Sequence, residues 1–539
     1  MHAILRLALP FVATAALYIL LQILELLYRD LSSSIRNLVG PKSSSWLYGN
    51  VKQLEDNPSI SSTWRDTYGP TYQFRTVLTT RELYTADVAA IEHIVKNNHI
   101  YQKRVVATGA NDRLVGEGLL GVEGDAHRRQ RRIMNPAFGS AQIRSLMSVF
   151  LEKSVEMRDL WMRGMNDDSK AATRIDVLDW LTKVTLDIIG QAGFDIHFNS
   201  VNPRDNKPNA VLETFNNFFH APNTAGLHAL RTTPGLTLLK YLVSPLPGRK
   251  AFDAARLQLA RLGNQLLVEG KAAITAAGGP KAVLTTRDLF SLILRANMST
   301  DIPENHRMTD NEVIGQIPTF FVAGHATTSS AIAWALHELS AHPDIQAKLR
   351  AELLSVPDET PTLEELNALP YLDSFIRETL RLHAPVAHVA RMAVADDVLP
   401  LARPAYDSSG RQHDTLPIKK GQNVRIAIAD VNTDVAVWGP DAHEFKPERW
   451  TSPLPTAAET VPSVWGDLLT FFAGPHNCIG FRFALAEQKA LLFVLVRALE
   501  FSPVFKATEI GRSGSALQRP CVVSEGKRGQ MPLFVKPYQ

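Results

Sequence analysis

A mainly α-helical domain with a small β-rich part, preceded by one N-terminal transmembrane helix, is the fold class this sequence predicts. Three observations predict it. The chain has 539 residues, 45% of them hydrophobic, which is enough for a large core, and no internal repeat or low-complexity tract divides it. Long stretches, such as those opening at Thr309 and Phe481, carry helical periodicity. A single apolar run stands apart at the N-terminus.

That run extends from Leu7 to Leu24, apolar except for Thr14, Tyr18 and Gln22 and bounded by Arg6 and by Glu25, Arg29 and Asp30. At about 1.5 Å per residue it nearly spans a bilayer core of about 30 Å. Residues 1–30 therefore read as a membrane anchor. A cleaved signal peptide is the alternative, but the run exceeds a usual apolar region and no small-residue cleavage site follows it. Residues 31–45, with Gly40, Pro41 and a serine cluster, read as a hinge, and residues 46–539 as one large domain. Strands are expected at TYQFRTV, VRIAIADV, CVVSE and MPLFVKP. A net charge of +3 gives no basis for binding nucleic acid.

The stretch Phe471–Gly480 (FFAGPHNCIG) carries the chemistry. Only two cysteines occur in the chain, so Cys478 does not belong to a disulfide framework. Gly474 permits a tight turn before it, Gly480 permits close approach after it, and a long apolar-periodic segment begins at once. A cysteine at a helix N-terminus meets unpaired N–H groups and the positive end of the macrodipole, which favour a thiolate fit to bind a metal. The competing reading is a buried, inert thiol before a core helix. Cys521, in a terminal β segment, reads as such a passive core thiol.

Upstream, Glu378 and Arg381 stand three residues apart on a helix that Pro370 opens and Pro385 ends. Alone such a pair is common surface decoration. Further on, FKPERW supplies Arg449. The segment from Thr309 to Pro343 opens with a Thr309…Glu312 capping box and contains AGHATT, Ala323 to Thr328. Pro318 lacks an N–H, and a kink is expected there, about one turn before Gly324.

Together these motifs resemble the cytochrome P450 family over roughly Trp46 to Pro537. The resemblance implies that fold and a haem b group ligated by Cys478, with Phe471, Gly474 and Gly480 matching the haem-binding loop and His476 standing where arginine is usual. It implies a buried structural triad of Glu378, Arg381 and Arg449. His127 and Arg131 match a pair that binds the haem propionates, histidine replacing the usual tryptophan, and Arg391 matches a further propionate-binding arginine. Ala323, Gly324 and Thr327 match the O2-handling stretch of the central helix, where Gly324 would let the backbone open beside O2 and Thr327 would steer protons. Ala326 stands where the family has an acid, and alanine takes no part in proton transfer; Thr327, Thr328 or His325 would then anchor a water chain.

The activity so implied is a monooxygenase drawing electrons, ultimately from NADPH, through a separate NADPH–cytochrome P450 reductase, since no flavin or nicotinamide fingerprint occurs in the chain. Arg128, Arg129 and Arg132, with Lys419, Lys420 and Arg482, would face that partner. The wording of the motifs is most like fungal microsomal members, which implies a single-pass protein of the endoplasmic reticulum membrane with its catalytic domain in the cytosol. A lipophilic substrate, such as a terpenoid or other secondary metabolite, would meet Phe215, Phe218, Phe219, Phe320, Phe321 and Val386 to Val389. The stretch 233–248 (TPGLTLLKYLVSPLPG) would touch membrane lipid or belong to the core, and the Asn297 sequon would go unused. Ala326 keeps open an O2-independent isomerase or dehydratase, a peroxide-using enzyme, or a non-enzymatic haem sensor.

Overall fold

The computed structural model describes residues 30–104, 116–165, 172–202, 211–214, 249–279, 288–300, 303, 306–514, 516–526 and 528–539, with scattered positions between 10 and 28. The roof residues Phe215, Phe218 and Phe219 and the stretch 233–248 lie outside the described residues. So does much of the expected anchor, and among the described residues no helix is long and apolar enough to cross a membrane. The chain divides into two compact units.

The first unit comprises Met1–Ala110, Pro222–Arg249 and Val389–Ala427. Its sheet has five strands: β1 (Thr71–Arg75), β2 (Arg81–Thr85), β3 (Tyr101–Lys103), β5 (Val389–Ala393) and β8 (Asn423–Ile426), in the order β1-β2-β8-β5-β3. All neighbours are antiparallel except β2 and β8. Tyr72 and Tyr84, paired in register, stack at 4.3 Å. The buried Glu82 is compensated by Arg425 at 2.8 Å and Arg104 at 3.2 Å, and these cations hold its carboxyl below the usual range despite burial. A hairpin of β6 (Asp397–Tyr406) and β7 (Gln412–Ile418) packs on helix α1 (Val88–Lys96), whose first turn is capped by Asp87 accepting from Ala90 N.

The second unit comprises Asn111–Ala221, Lys250–His388 and Ile428–Gln539 and is mostly helical. The helices that matter below are α2 (Gly124–Met134), α3 (Met147–Gly164), α4 (Val177–Phe194), α5 (Asp310–Ala341), α6 (Pro343–Leu354), α7 (Pro370–Leu382) and α8 (Phe481–Ala498). Helix α5 is buried along most of its length and packs on α4, while α8 packs on α3, α6 and α5. The Thr309 box closes at its start, Thr309 N donating to Glu312 and Glu312 N to Thr309 Oγ1. Helix α5 runs without a break through the buried Pro318. Small sheets complete the unit: β4 (Thr173–Asp176), β12 (Pro532–Pro537) and β9 (Leu499–Pro503) in that order, and β10 (Ile510–Ser513) with β11 (Arg519–Val522).

Two strand expectations need correction. VRIAIADV is strand only to Ile426; Ile428–Asn432 turns into a short buried helix. There the Asn432 side chain accepts from Leu469 N and donates to Thr470 Oγ1, long-range bonds that a local alternation pattern does not reveal. CVVSE likewise leaves the sheet after Val522 for a 3₁₀ turn.

Candidate active site

A cavity enclosing about 830 Å³ of empty space, its mouth included, lies within the helical unit. One wall is Ala323, Gly324, Thr327, Thr328 and Ala331 of α5; another is Cys478, Ile479 and Gly480, immediately before α8. Phe138, Ile189, Phe320, Leu380, Val386 and Phe471 make most of the remaining lining apolar. A mostly apolar lining with a few converging polar groups is that of a small-molecule or cofactor site.

The loop before α8 is shaped by its backbone. Gly474 adopts φ +64°, a region that excludes most side chains, and Cys478 N donates to Phe471 O at 2.8 Å. Gly480 is different: its φ of −91° suits any residue, and a Cβ there would meet only Phe138 at an ordinary 3.7 Å. Its contribution is the room it leaves on the cavity wall. Cys478 is exposed along the cavity it lines, though set deep among neighbouring atoms. Burial pushes its thiol up, and the Gly480 N–H and Arg131 only partly oppose this. The helix-terminus field that favours a thiolate is thus opposed by burial at this position.

Arg131 on α2 reaches across to this loop, donating to Pro475 O at 3.1 Å, to Asn477 O at 2.6 Å and to the Asn477 side chain. Among the described residues no carboxylate pairs with it, and burial lowers its pKa. His127, one turn away, stacks on His476 with ring centroids 4.4 Å apart, and His476 Nε2 lies 2.6 Å from Glu123 Oε2. The imidazole in the usual arginine's place is thus already engaged by a carboxylate. Arg391 belongs to the other unit, buried on β5 with its guanidinium donating to Ala390 O. The cationic rim also differs from expectation. Arg128 is exposed beside Asp125, and Arg132 is exposed, but Arg129 turns inward to the buried Glu312. Lys419 pairs with Asp396 in the sheet unit.

On α5, Thr327 Oγ1 donates to Ala323 O at 2.6 Å while lining the cavity. Gly324 is required by packing: a Cβ would stand 2.9 Å from Ile189 Cγ1 of α4. Ala326 is buried and off the cavity wall, and so is His325. The His325 ring contacts Phe321 O through Nδ1, and burial holds its pKa to about 4, so it is neutral at pH 7 and unsuited to carry protons for the cavity. Phe321 is core, its ring tilted against Phe194 and edge-on to Phe198, whereas Phe320 and Val386 line the cavity. Asn297 Nδ2 donates to Met308 O and Asp310.

Glu378 and Arg381 on α7 are both 0% exposed and form a two-pronged pair at 2.8 and 2.9 Å. Glu378 also accepts from Arg449 Nε at 3.3 Å, Trp450 Nε1 at 3.1 Å and Lys446 N at 3.0 Å. Arg381 donates to the carbonyls of Asn432, Ala442 and Glu444. Arg449 closes on Asp441 at 2.7 Å. Asp441, Trp450 and Glu123 were missed in the sequence because nothing in its spacing ties them to their partners.

A thiol on one wall, small residues on the wall opposite, and the Arg131 guanidinium, with which no carboxylate pairs among the described residues, are a donor set that fits an anionic metallomacrocycle. Comparison with known proteins agrees. The family described as cytochrome P450 matches residues 39–510. Cytochrome P450 monooxygenases 205 and 128 of Postia placenta are each 44% identical, over 94% of this chain and 94% and 93% of theirs. Cytochrome P450 monooxygenase claO of Ampulloclitocybe clavipes is 36% identical over 93% of both chains. The chain belongs to the cytochrome P450 family of haem-thiolate, O2-using monooxygenases.

Proposed function

We propose that this chain inserts one oxygen atom from O2 into a lipophilic small molecule of secondary metabolism, a terpenoid being the favoured class, with electrons from a separate NADPH–cytochrome P450 reductase. The observation that carries the reading is the apolar cavity held between Cys478 and the Ala323–Thr328 wall. When bound, a haem held by a thiolate would supply O2 activation and oxygen transfer to carbon. Cys478 is the residue that would ligate the iron, with Phe471 and Gly480 shaping its surroundings and Gly474 turning the loop. Arg131, with His127 and His476, would hold the propionates; Arg131 is best suited, being a part-buried cation with which no carboxylate pairs among the described residues. Thr327 is the hydroxyl on the opposite wall able to hold a proton, while Phe138, Ile189, Phe320 and Val386 exclude water and orient an apolar substrate.

Residues 1–30 are proposed as the anchor to the endoplasmic reticulum membrane, the catalytic domain lying in the cytosol and 31–45 the hinge. Support comes from the apolar run in the sequence and from Leu17, Leu20, Leu21, Leu24, Leu27 and Leu31, which are all exposed. Exposed Arg128 and Arg132 remain candidates for the reductase face. The test is incubation with reductase, NADPH and a panel of terpenes, fatty acids and aromatic compounds, read by mass. A gain of one oxygen that requires both NADPH and O2 supports the reading; conversion that persists without O2 overturns it in favour of an isomerase or dehydratase. In Cys478→Ser the red-shifted Soret band of the reduced, carbon monoxide-bound protein should vanish; its persistence would remove Cys478 as ligand.

A further inference from the structure

His383, the residue that ends α7, is an ionisable group for which the mechanism has no use. Its side chain is 10% exposed, and its ring lies flat on Trp334 of α5, the centroids 4.2 Å apart and the planes 6° from parallel. Both ring nitrogens are engaged. Nε2 stands 2.6 Å from Glu338 Oε1 on α5, and Nδ1 stands 3.3 Å from Arg512 Nη2 on β10. A guanidinium can only donate, so Nδ1 accepts, the ring proton sits on Nε2, and Nε2 donates it to Glu338. The imidazole is therefore neutral, and burial, which lowers its pKa, acts in the same sense. A cation and an anion are thus joined through an uncharged ring, for among the described residues no carboxylate is bonded to Arg512 directly.

This chain of groups ends beside the cavity. The same Arg512 nitrogen donates to Leu382 O at 2.8 Å. Just beyond, residues 385–387 run along residues 516–518, with Gln518 N donating to Pro385 O and Ala387 N to Ala516 O, each at 2.8 Å. Pro385 and Val386 line the cavity, whereas Glu338, His383 and Arg512 lie off its wall. Ser330 Oγ of α5 donates to Gln518 O at 2.9 Å, so the strip that backs Val386 is tied to the same helix that carries Glu338.

We propose that His383 is a positioning residue that sets ligand selectivity: by holding Arg512 on one side and Glu338 on the other, it fixes the Pro385–Val386 wall against α5 and with it the width of the cavity. The role calls for one acceptor and one donor on a short planar group, which a glutamine amide also supplies. The inference rests on the proposed function only in taking this cavity as the site where haem and substrate meet.

The test uses the haem-loaded, full-length protein and two azole probes, phenylimidazole and the bulkier clotrimazole, whose binding is read from the shift of the Soret band and needs neither reductase nor turnover. His383→Phe keeps a ring on Trp334 and removes both hydrogen bonds; the ratio of the two dissociation constants should change about tenfold, the effect of about one methylene of pocket contact. His383→Gln should restore most of the wild-type ratio. Arg512→Met should reproduce the change seen in His383→Phe, and the double variant should be no worse than either alone. If His383→Phe gives no carbon monoxide Soret band, Arg512→Met decides in its place. A ratio that stays at the wild-type value while thermal stability falls would make the chain a structural brace only and overturn the proposal, and so would a Gln variant as altered as the Phe variant. Failure of the wild type to oxygenate any compound of the panel counts against the proposed function alone, since the azole ratios are read without turnover.

Discussion

Glu378→Gln replaces a carboxylate by an amide of the same shape, so no cavity opens and the cost is electrostatic. Glu378 accepts from five donors: Arg381 Nε and Nη2, Arg449 Nε, Trp450 Nε1 and Lys446 N. An amide keeps one accepting oxygen, and its NH2 would point at donors. Arg381, 0% exposed, would retain only the three backbone carbonyls to compensate a full charge. Removing one partner of a buried ion pair costs about 3–5 kcal/mol. Against a total stability of about 5–15 kcal/mol that is a large share. Urea unfolding followed by tryptophan fluorescence should show a loss of about 4 kcal/mol, with the folded fraction still giving the carbon monoxide Soret band because the triad does not touch the cavity. Asp125→Asn, which breaks the exposed pair with Arg128, should change nothing measurable. A Glu378→Gln midpoint indistinguishable from that control would refute the claim that the carboxylate compensates the buried cation.

Gly324→Ala would press a methyl against Ile189 Cγ1 and cost about 1–3 kcal/mol of stability; combining it with Ile189→Ala should recover much of the loss, and thermal unfolding reads both. Arg131→Met should weaken haem retention, measured as the rate of transfer to apomyoglobin, more than Arg132→Met, whose side chain is exposed. His325 and His337 are buried and held to about 4, below the ordinary 6.5. The unfolded chain therefore binds protons that the folded one refuses, and stability should fall as pH drops from about 6.5 to about 4, by roughly 3 kcal/mol for each group. Stability curves of wild type and His325→Gln should diverge in that window, the variant falling less steeply; parallel curves would refute the assignment.

Much of the site was legible because its chemistry is local. Phe471 to Gly480 is one loop, Glu378 and Arg381 share one helix turn, and Thr309 with Glu312 closes a box four residues long. What stayed hidden depends on partners distant in the chain. Arg129 reads as another exposed arginine on a basic helix until Glu312 of α5 is beside it. Gly324 reads as freedom for the backbone, but its position is dictated by Ile189 on α4. The short helix at Ile428–Asn432 follows from Asn432 bonding the segment that holds Leu469 and Thr470, an interaction that outweighs the β-branched pattern. Glu487 is spaced like any polar residue on a long helix, and its full burial follows only from its surroundings.

Arg381 binds the 432–444 segment through main-chain oxygens of Asn432, Ala442 and Glu444. A grip on carbonyls is blind to the side chains between them. The identities of residues such as Val435, Ala436 and Pro440 are therefore open to drift, while the length of that connection is not: one residue inserted or deleted would move a carbonyl out of reach of a guanidinium that has no slack. Relatives should consequently differ freely in spelling here and almost never in count.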